Sequence, residues 1–208
     1  EYAANEIARS EPEWTNITPA GDFRRGCELI GDLSLVAIDP QHRGGTKTVT
    51  HGELTVHLAS PERFGIALLL ATGSEAHVEA LSKLAQKKGL TLDAKGLRKK
   101  NGIVAQTIEE DIYAALGLPF IPPELRESGD EVQQAVNGKL PVLVTRDDLK
   151  GVLHAHTTES DGADILKDMA DATRERGYAY LGVTDHSQSA HYAGGLKPEE
   201  IPLQQKEI

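Results

Sequence analysis

Cysteine is nearly absent: Cys27 is the only one, which excludes an intrachain disulfide and any thiolate zinc knuckle. That scarcity points to a reducing, cytoplasmic setting. Long hydrophobic runs are missing too. The stretch "FGIALLLA" at residues 64–71 falls far short of the roughly 20 residues that cross a bilayer, so no membrane partner is expected. Nothing at the start reads as a signal peptide, because Glu1 opens without Met on a helical pattern. The chain stops on "LQQKEI", again helix-like and uncapped. Both ends are therefore expected to be cuts in a longer protein. Positive charge is short, 22 Lys and Arg against 32 Asp and Glu, which excludes a uniformly basic surface.

The distribution of charge is uneven. Residues 1–100 carry 13 basic and 13 acidic side chains, whereas residues 101–208 carry 9 and 19. Lys83, Lys87, Lys88, Lys95, Arg98, Lys99 and Lys100 face only Asp93 in their stretch. Such a strip could follow a nucleic-acid backbone, but on charge alone a solvated helix face and loop is the stronger reading. A length of 208 residues with 39% hydrophobic content allows one large or two small globular domains.

Residues 1–9 suggest the tail of a helix. "GDLSLVAI" alternates and ends at Asp39-Pro40, so it suggests a strand, and "ELTVHLAS" suggests a second, with a loop or hairpin between them. Helical stretches are expected at residues 64–70 and 75–88, broken by "TGS". "TIEEDIYAALG" suggests a helix with a capping box of Thr107 and Glu110. "LPFIPPELRESGD" is too proline-rich to continue it and suggests a linker. Then "KGVLHAH", residues 164–176 and "YAYLGVT" form one β-α-β unit, which implies a parallel sheet or barrel. A domain boundary is expected at residues 140–150.

"LHAHTTESDG" sets His154 and His156 two apart in the first of these strands, on one face. Asp161 follows in the turn beside Gly162. "GVTDH" ends the next strand at Asp185 and His186. In a parallel β/α array both strand ends open onto the same rim. Three imidazoles and a carboxylate there suit Mn²⁺ or Zn²⁺ better than Mg²⁺. Asp185 is expected to orient a ligand, and Glu159 and Asp164 to be solvated.

These residues carry a resemblance. "LHAHTTESDG", "YLGVTDHSQS" and "AGGL" resemble the opening of a PHP (polymerase and histidinol phosphatase) domain, a distorted β/α barrel that hydrolyses phosphoesters with a metal cluster. The resemblance implies metal ligation by His154, His156, Asp161 and His186. Further ligands of that family come from later strands, so a hydrolase confined to this chain is expected to be weak or inactive. Val152 stands where the family has an Asp, which removes a carboxylate that could orient a ligand.

The preceding segment resembles the bacterial PolX family of X-family DNA polymerases. "AGDFRRGCELIGDLSLV" is similar to the palm nucleotidyltransferase motif, and "ASPERFGIALLLATGSEAH" to the third palm strand and nucleotide-binding turn. "EEDIYAALGLPFIPPELRE" is similar to the segment joining palm to PHP. The fold implied is α+β: an antiparallel palm sheet with helices and a linker over residues 1–140, then an incomplete β/α PHP segment over 150–208. The family holds two Mg²⁺ with three aspartates. Here the first is Asp32, the catalytic candidate, while Ser34 and Thr55 occupy the other two positions. Neutral hydroxyls cannot assemble two hard cations, which leaves Mg²⁺ and dNTP without their usual ligands.

By the same resemblance Gly21, Arg25, Thr72 and Gly73 are nucleotide-binding candidates. Asp22 replaces a Ser next to the triphosphate and would repel it, and Val78 and Ser82 replace an Asn and an Arg. Three functions follow. The first is a DNA-repair enzyme with a remnant palm and a 3′-5′ exonuclease or phosphoesterase PHP site acting on gapped DNA or 3′ ends. The second is a gap-filling polymerase that uses substitute carboxylates such as Glu53, Asp22 or Glu28. The third is a non-catalytic DNA-binding scaffold.

Overall fold

The most apolar strands take the middle of a sheet, where both faces are covered. The computed structural model describes residues 2–42, 44, 47–100 and 102–208, the side chains of residues 2 and 3 excepted. It divides into two compact units, Glu1–Pro141 and Val142–Ile208. In the first, α1 (Tyr2–Ser10), β1 (Thr15–Pro19) and α2 (Gly21–Arg25) lead into β2 (Leu33–Ile38). β3 (Lys47–His51) and β4 (Leu54–Ala59) form a hairpin. The strand order is β1-β2-β4-β3, and β2 runs parallel to β4 with Ser34 opposite Thr55.

The expected antiparallel palm sheet is therefore a mixed one. β4 carries Val56, Leu58 and Ala59, all buried, whereas "KTVTH" of β3 is mostly exposed. Burial sends β4 inward to β2 and leaves β3 at the edge. With β3 antiparallel to β4 at the edge, β4 then runs the same way as β2. Nor does β2 alternate: Ser34 to Ile38 are all buried. Leu35 and Ala37 pack with Ile7 on one side, and Val36 packs with Ala67 and Leu68 on the other.

α3 (Phe64–Thr72) and α4 (Glu75–Lys87) follow, the latter capped by Ser74, whose Oγ accepts from the His77 amide at 3.1 Å. The basic strip, expected on a helix face and loop, lies on α4 and on a three-stranded antiparallel sheet of β5 (Thr91–Asp93), β6 (Gly96–Lys99) and β7 (Gly102–Ala105). α5 (Glu109–Ala115) begins after Ile108 without a side-chain cap. The capping box does not form, because the Thr107 hydroxyl donates to the Glu62 carbonyl at 3.2 Å. The expected linker is folded: Leu118, Ile121 and Arg126 are buried, and α6 (Asp130–Val136) continues the unit. Proline stops the helix here but not the packing.

Buried ionic groups run through this core. Glu109 accepts from Arg24 at 2.6 Å and from Arg126 at 2.5 Å. Arg126 also donates to the Ile121 carbonyl and lies over the rings of Tyr113 and Phe120. His77, fully buried, joins Glu131 at 2.6 Å through Nδ1 and the Tyr113 hydroxyl at 2.9 Å through Nε2. Burial pushes the Tyr113 phenol well up.

In the second unit β8 (Gly151–Ala155) and β9 (Tyr180–Val183) form a parallel pair joined through α7 (Leu166–Glu175), and α8 (Ile201–Glu207) closes the sequence. No helix among the described residues is long and apolar enough to cross a membrane.

Removing one partner of a buried charge pair strands the other. Glu109→Ala leaves Arg126 fully buried without its carboxylate and should therefore cost about 3–5 kcal/mol in urea unfolding. Burial also holds the His77 imidazole below its ordinary range, with Glu131 pulling the other way. The unfolded chain takes up a proton near pH 6.5 that the folded core refuses. Stability should be full above that pH and fall below it, by at most about 1.4 kcal/mol per pH unit from this group. His77→Gln should flatten that slope between pH 7 and 5.

Candidate functional site

In the first unit the glycine turn and the start of β2 clasp each other. The Asp22 amide donates to Asp32 Oδ1 at 3.0 Å, and the Asp32 amide donates to Asp22 Oδ2 at 3.3 Å. Asp22 Oδ2 also accepts from the Gly31 amide at 2.7 Å, which heads the interactions that hold its carboxyl below the ordinary range. Gly21 sits at φ +57°, and a Cβ there would fall 2.5 Å from Asp32 Oδ2, so only glycine lets the turn approach. Asp32 Oδ2 takes a further hydrogen bond from the Ser34 hydroxyl at 2.9 Å.

Asp32 and Ser34 thus share a face, with Thr55 opposite Ser34 in the neighbouring strand. His57 lies on that face with Nδ1 3.3 Å from the Thr48 hydroxyl. Burial lowers its pKa, while the Asp32 charge works the other way. Of the substitute acids, Asp22 pairs with Arg25, and Glu28 and Glu53 are exposed.

The nucleotide-binding candidates come together, but with their donors turned inward. Arg25 donates to Glu127 at 2.6 Å, to the Thr72 carbonyl at 2.8 Å, and to Asp22. Thr72 is fully buried, and its hydroxyl accepts from Arg24 at 2.8 Å. The Gly73 amide donates to the Leu69 carbonyl at 3.0 Å, and a Cβ on Gly73 would fall 2.7 Å from the His77 ring. Ser74 donates to the Glu127 carbonyl at 2.6 Å. Glu109, Arg126 and Glu127 escape sequence inspection, because each meets an opposite charge distant in the chain and no local spacing marks the pairing.

In the second unit the histidines gather by a less regular route than strand alternation. His154 has φ +63°, and the β8–β9 register shifts between Val152 and Ala155. His156 lies past the end of β8. The ring centroids are nevertheless 5.2 Å apart for His154 and His156, and 4.6 Å for His156 and His186. Asp161 bridges them, with Oδ1 3.0 Å from His156 Nδ1 and Oδ2 3.5 Å from His186 Nε2. Ligand atoms of His156, Asp161 and His186 all lie within 4.8 Å of one another, and His154 stands beside this group. It is the single such cluster of three among the described residues; none forms around Asp32.

Asp185 turns to the Thr157–Ser160 corner. It accepts from the Thr157 amide and hydroxyl, both at 2.7 Å, and from Ser160 and Gln204, both at 2.6 Å. Burial raises its pKa, but these donors outweigh it and leave the carboxyl below its ordinary value. It thus fixes the corner whose two ends carry His156 and Asp161. Glu159 and Asp164 are exposed. Two nitrogen donors and one oxygen donor, partly open to solvent, fit Mn²⁺ or Zn²⁺ by type.

This chain is similar to known proteins. Residues 67–127 match the DNA polymerase beta thumb, over a stretch whose sequence pattern suggests only palm and linker. The chain is 38% identical, over an alignment of 235 residues, to the DNA polymerase/3′-5′ exonuclease PolX of Bacillus subtilis (strain 168). That alignment covers 99% of this chain and 41% of the relative's length.

A Cβ on Gly162 would fall 2.0 Å from the His156 carbonyl oxygen. Gly162→Ala should therefore shift the corner, destabilise the second unit by about 1–3 kcal/mol and weaken Mn²⁺ binding measured by electron paramagnetic resonance.

Proposed function

We propose that this chain, 38% identical along nearly all its length to the Bacillus subtilis PolX, serves DNA repair through a metal-dependent phosphoesterase centre in its second unit, while its palm no longer adds nucleotides. The observation that carries this is the contrast of charge and donors between the two sites. Asp32 is accompanied by two hydroxyl side chains, Ser34 and Thr55, whereas His156, Asp161 and His186 present three donors within 4.8 Å.

Mn²⁺ or Zn²⁺ would be held by His156, Asp161 and His186, with His154 alongside. Such an ion supplies polarisation of a phosphoester and a water of lowered pKa. Asp185 keeps the corner still, and Asp161 spans the two imidazoles. In the palm, Asp32 holds the Gly21–Asp22 turn by its amide, and Arg25 holds the Thr72 and Glu127 segments together. A phosphate would have to compete with Asp22 and Glu127 for that guanidinium. Gap filling with substitute carboxylates finds little support, since Asp22 is engaged and Glu28 and Glu53 are solvated.

The relative is named for both polymerase and 3′-5′ exonuclease activities; the exonuclease is the one this chain's donors favour, with gapped DNA or a 3′ end as substrate. DNA holding by the strip on α4, β5 and β6 is a compatible second role. Arg98 there pairs with Asp93 and Lys83 with Glu79, which leaves Lys87, Lys88, Lys95, Lys99 and Lys100 to meet phosphates, the first two together at the helix end. Lys87→Glu with Lys88→Glu should weaken DNA binding and flatten its salt dependence; unchanged binding at low salt removes the role.

Mn²⁺ titration of the chain tests the main proposal. His156→Ala and Asp161→Asn should each cost at least about tenfold in affinity, and Asp32→Asn nothing. Grafted into the Bacillus subtilis relative in place of the aligned segment, the chain should retain nuclease activity and fail at primer extension. Template-directed extension by that graft would refute the remnant palm, and absent Mn²⁺ binding would refute the phosphoesterase.

A further inference from the structure

The turn after β9 holds an aromatic side chain for which the fold has no use. Tyr192 is 90% exposed, yet the backbone beneath it is firmly built. Ala190, Ala193 and Leu196 on either side are buried. The Leu196 amide donates to the His186 carbonyl at 2.8 Å, and Ser187 bridges to Leu196. A Cβ on Gly195 would fall 1.9 Å from the Ser187 carbonyl oxygen, so the two limbs of the turn touch through a glycine. The Tyr192 ring is thereby presented 6.1 Å, centroid to centroid, from His186 and inclined at 61°. An exposed ring that buries almost nothing of its own contributes little to folding.

We propose that Tyr192 is a stacking surface for the nucleobase of the strand end brought to His156, Asp161 and His186; this rests on the phosphoesterase proposal above. Charge favours stacking over a cationic clamp. Residues 142–208 carry 7 Lys and Arg against 12 Asp and Glu, a net of -5, so the unit repels a phosphate backbone. Affinity for a nucleotide must then come from a bound cation and from contacts that carry no charge. Stacking on an aromatic face is such a contact, accepts any base, and is worth about 1–3 kcal/mol per base. A ring next to His186 rather than remote from it sets the base beside the terminal phosphodiester.

The probe is a 5′-fluorescein pentanucleotide with a phosphorothioate at its last linkage, bound to the chain with Mn²⁺ and followed by anisotropy. A second probe lacks the 3′-terminal base. Mn²⁺ affinity is measured separately by electron paramagnetic resonance. Tyr192→Ala should weaken the base-ended probe between about fivefold and about a hundredfold. It should leave the abasic probe and the Mn²⁺ affinity unchanged, and Tyr192→Phe should bind like the parent. Equal binding of the base-ended probe by Tyr192→Ala, with Mn²⁺ affinity intact, overturns the stacking role alone. A parent chain that does not distinguish the two probes also overturns it. Failure of the parent chain to bind Mn²⁺ overturns the phosphoesterase centre and the stacking role together.

Discussion

The first unit depends on one buried carboxylate. Glu109 takes a guanidinium from each side, Arg24 from α2 and Arg126 from the proline-rich segment, and so joins three stretches far apart in sequence. Two cations on one acid leave local positive charge, and Arg126 spreads part of it over the Tyr113 and Phe120 rings. Arg25, the next residue, repeats the pattern with Asp22 and Glu127. The glycine turn, the "TGS" turn and the segment near residue 126 are consequently joined in one ionic network.

That network bears on chemistry. A phosphate-handling arginine needs donors free to face a ligand, but the Arg25 fork is filled by protein oxygens. The carboxylate pair Asp22 and Asp32 is likewise spent on backbone amides. Both facts meet in the acid beside the glycine: Asp22 takes Arg25 on one carboxylate oxygen and the Gly31 and Asp32 amides on the other. In the second unit the reverse holds. Asp185 absorbs the donors of the turn, which leaves Asp161 free to face two imidazoles.

How much was legible in the sequence follows from the range of each interaction. Strands β2, β4, β8 and β9 and helices α3, α4 and α7 show in the local sequence. The histidine cluster shows as well, because its members sit at strand ends of one β-α-β unit. Strand direction does not show, since β4 takes its place by burial competition with β3, a comparison no single window contains. The β5–β7 sheet hides under lysines that suggest a solvated surface. "LPFIPPELRE" suggests a linker because proline punctuates helices, yet Ile121 and Arg126 anchor it to the core. Tyr192 and Glu127 gain meaning only from neighbours in space.

The left-handed backbone at His154 has its own consequence. A side chain bearing a β-carbon in that conformation stores about 1–3 kcal/mol of strain, which glycine would release. The imidazole that lies beside His156 is thus held at a cost in backbone ease, and the second unit carries at that one position a tension that its neighbours must contain.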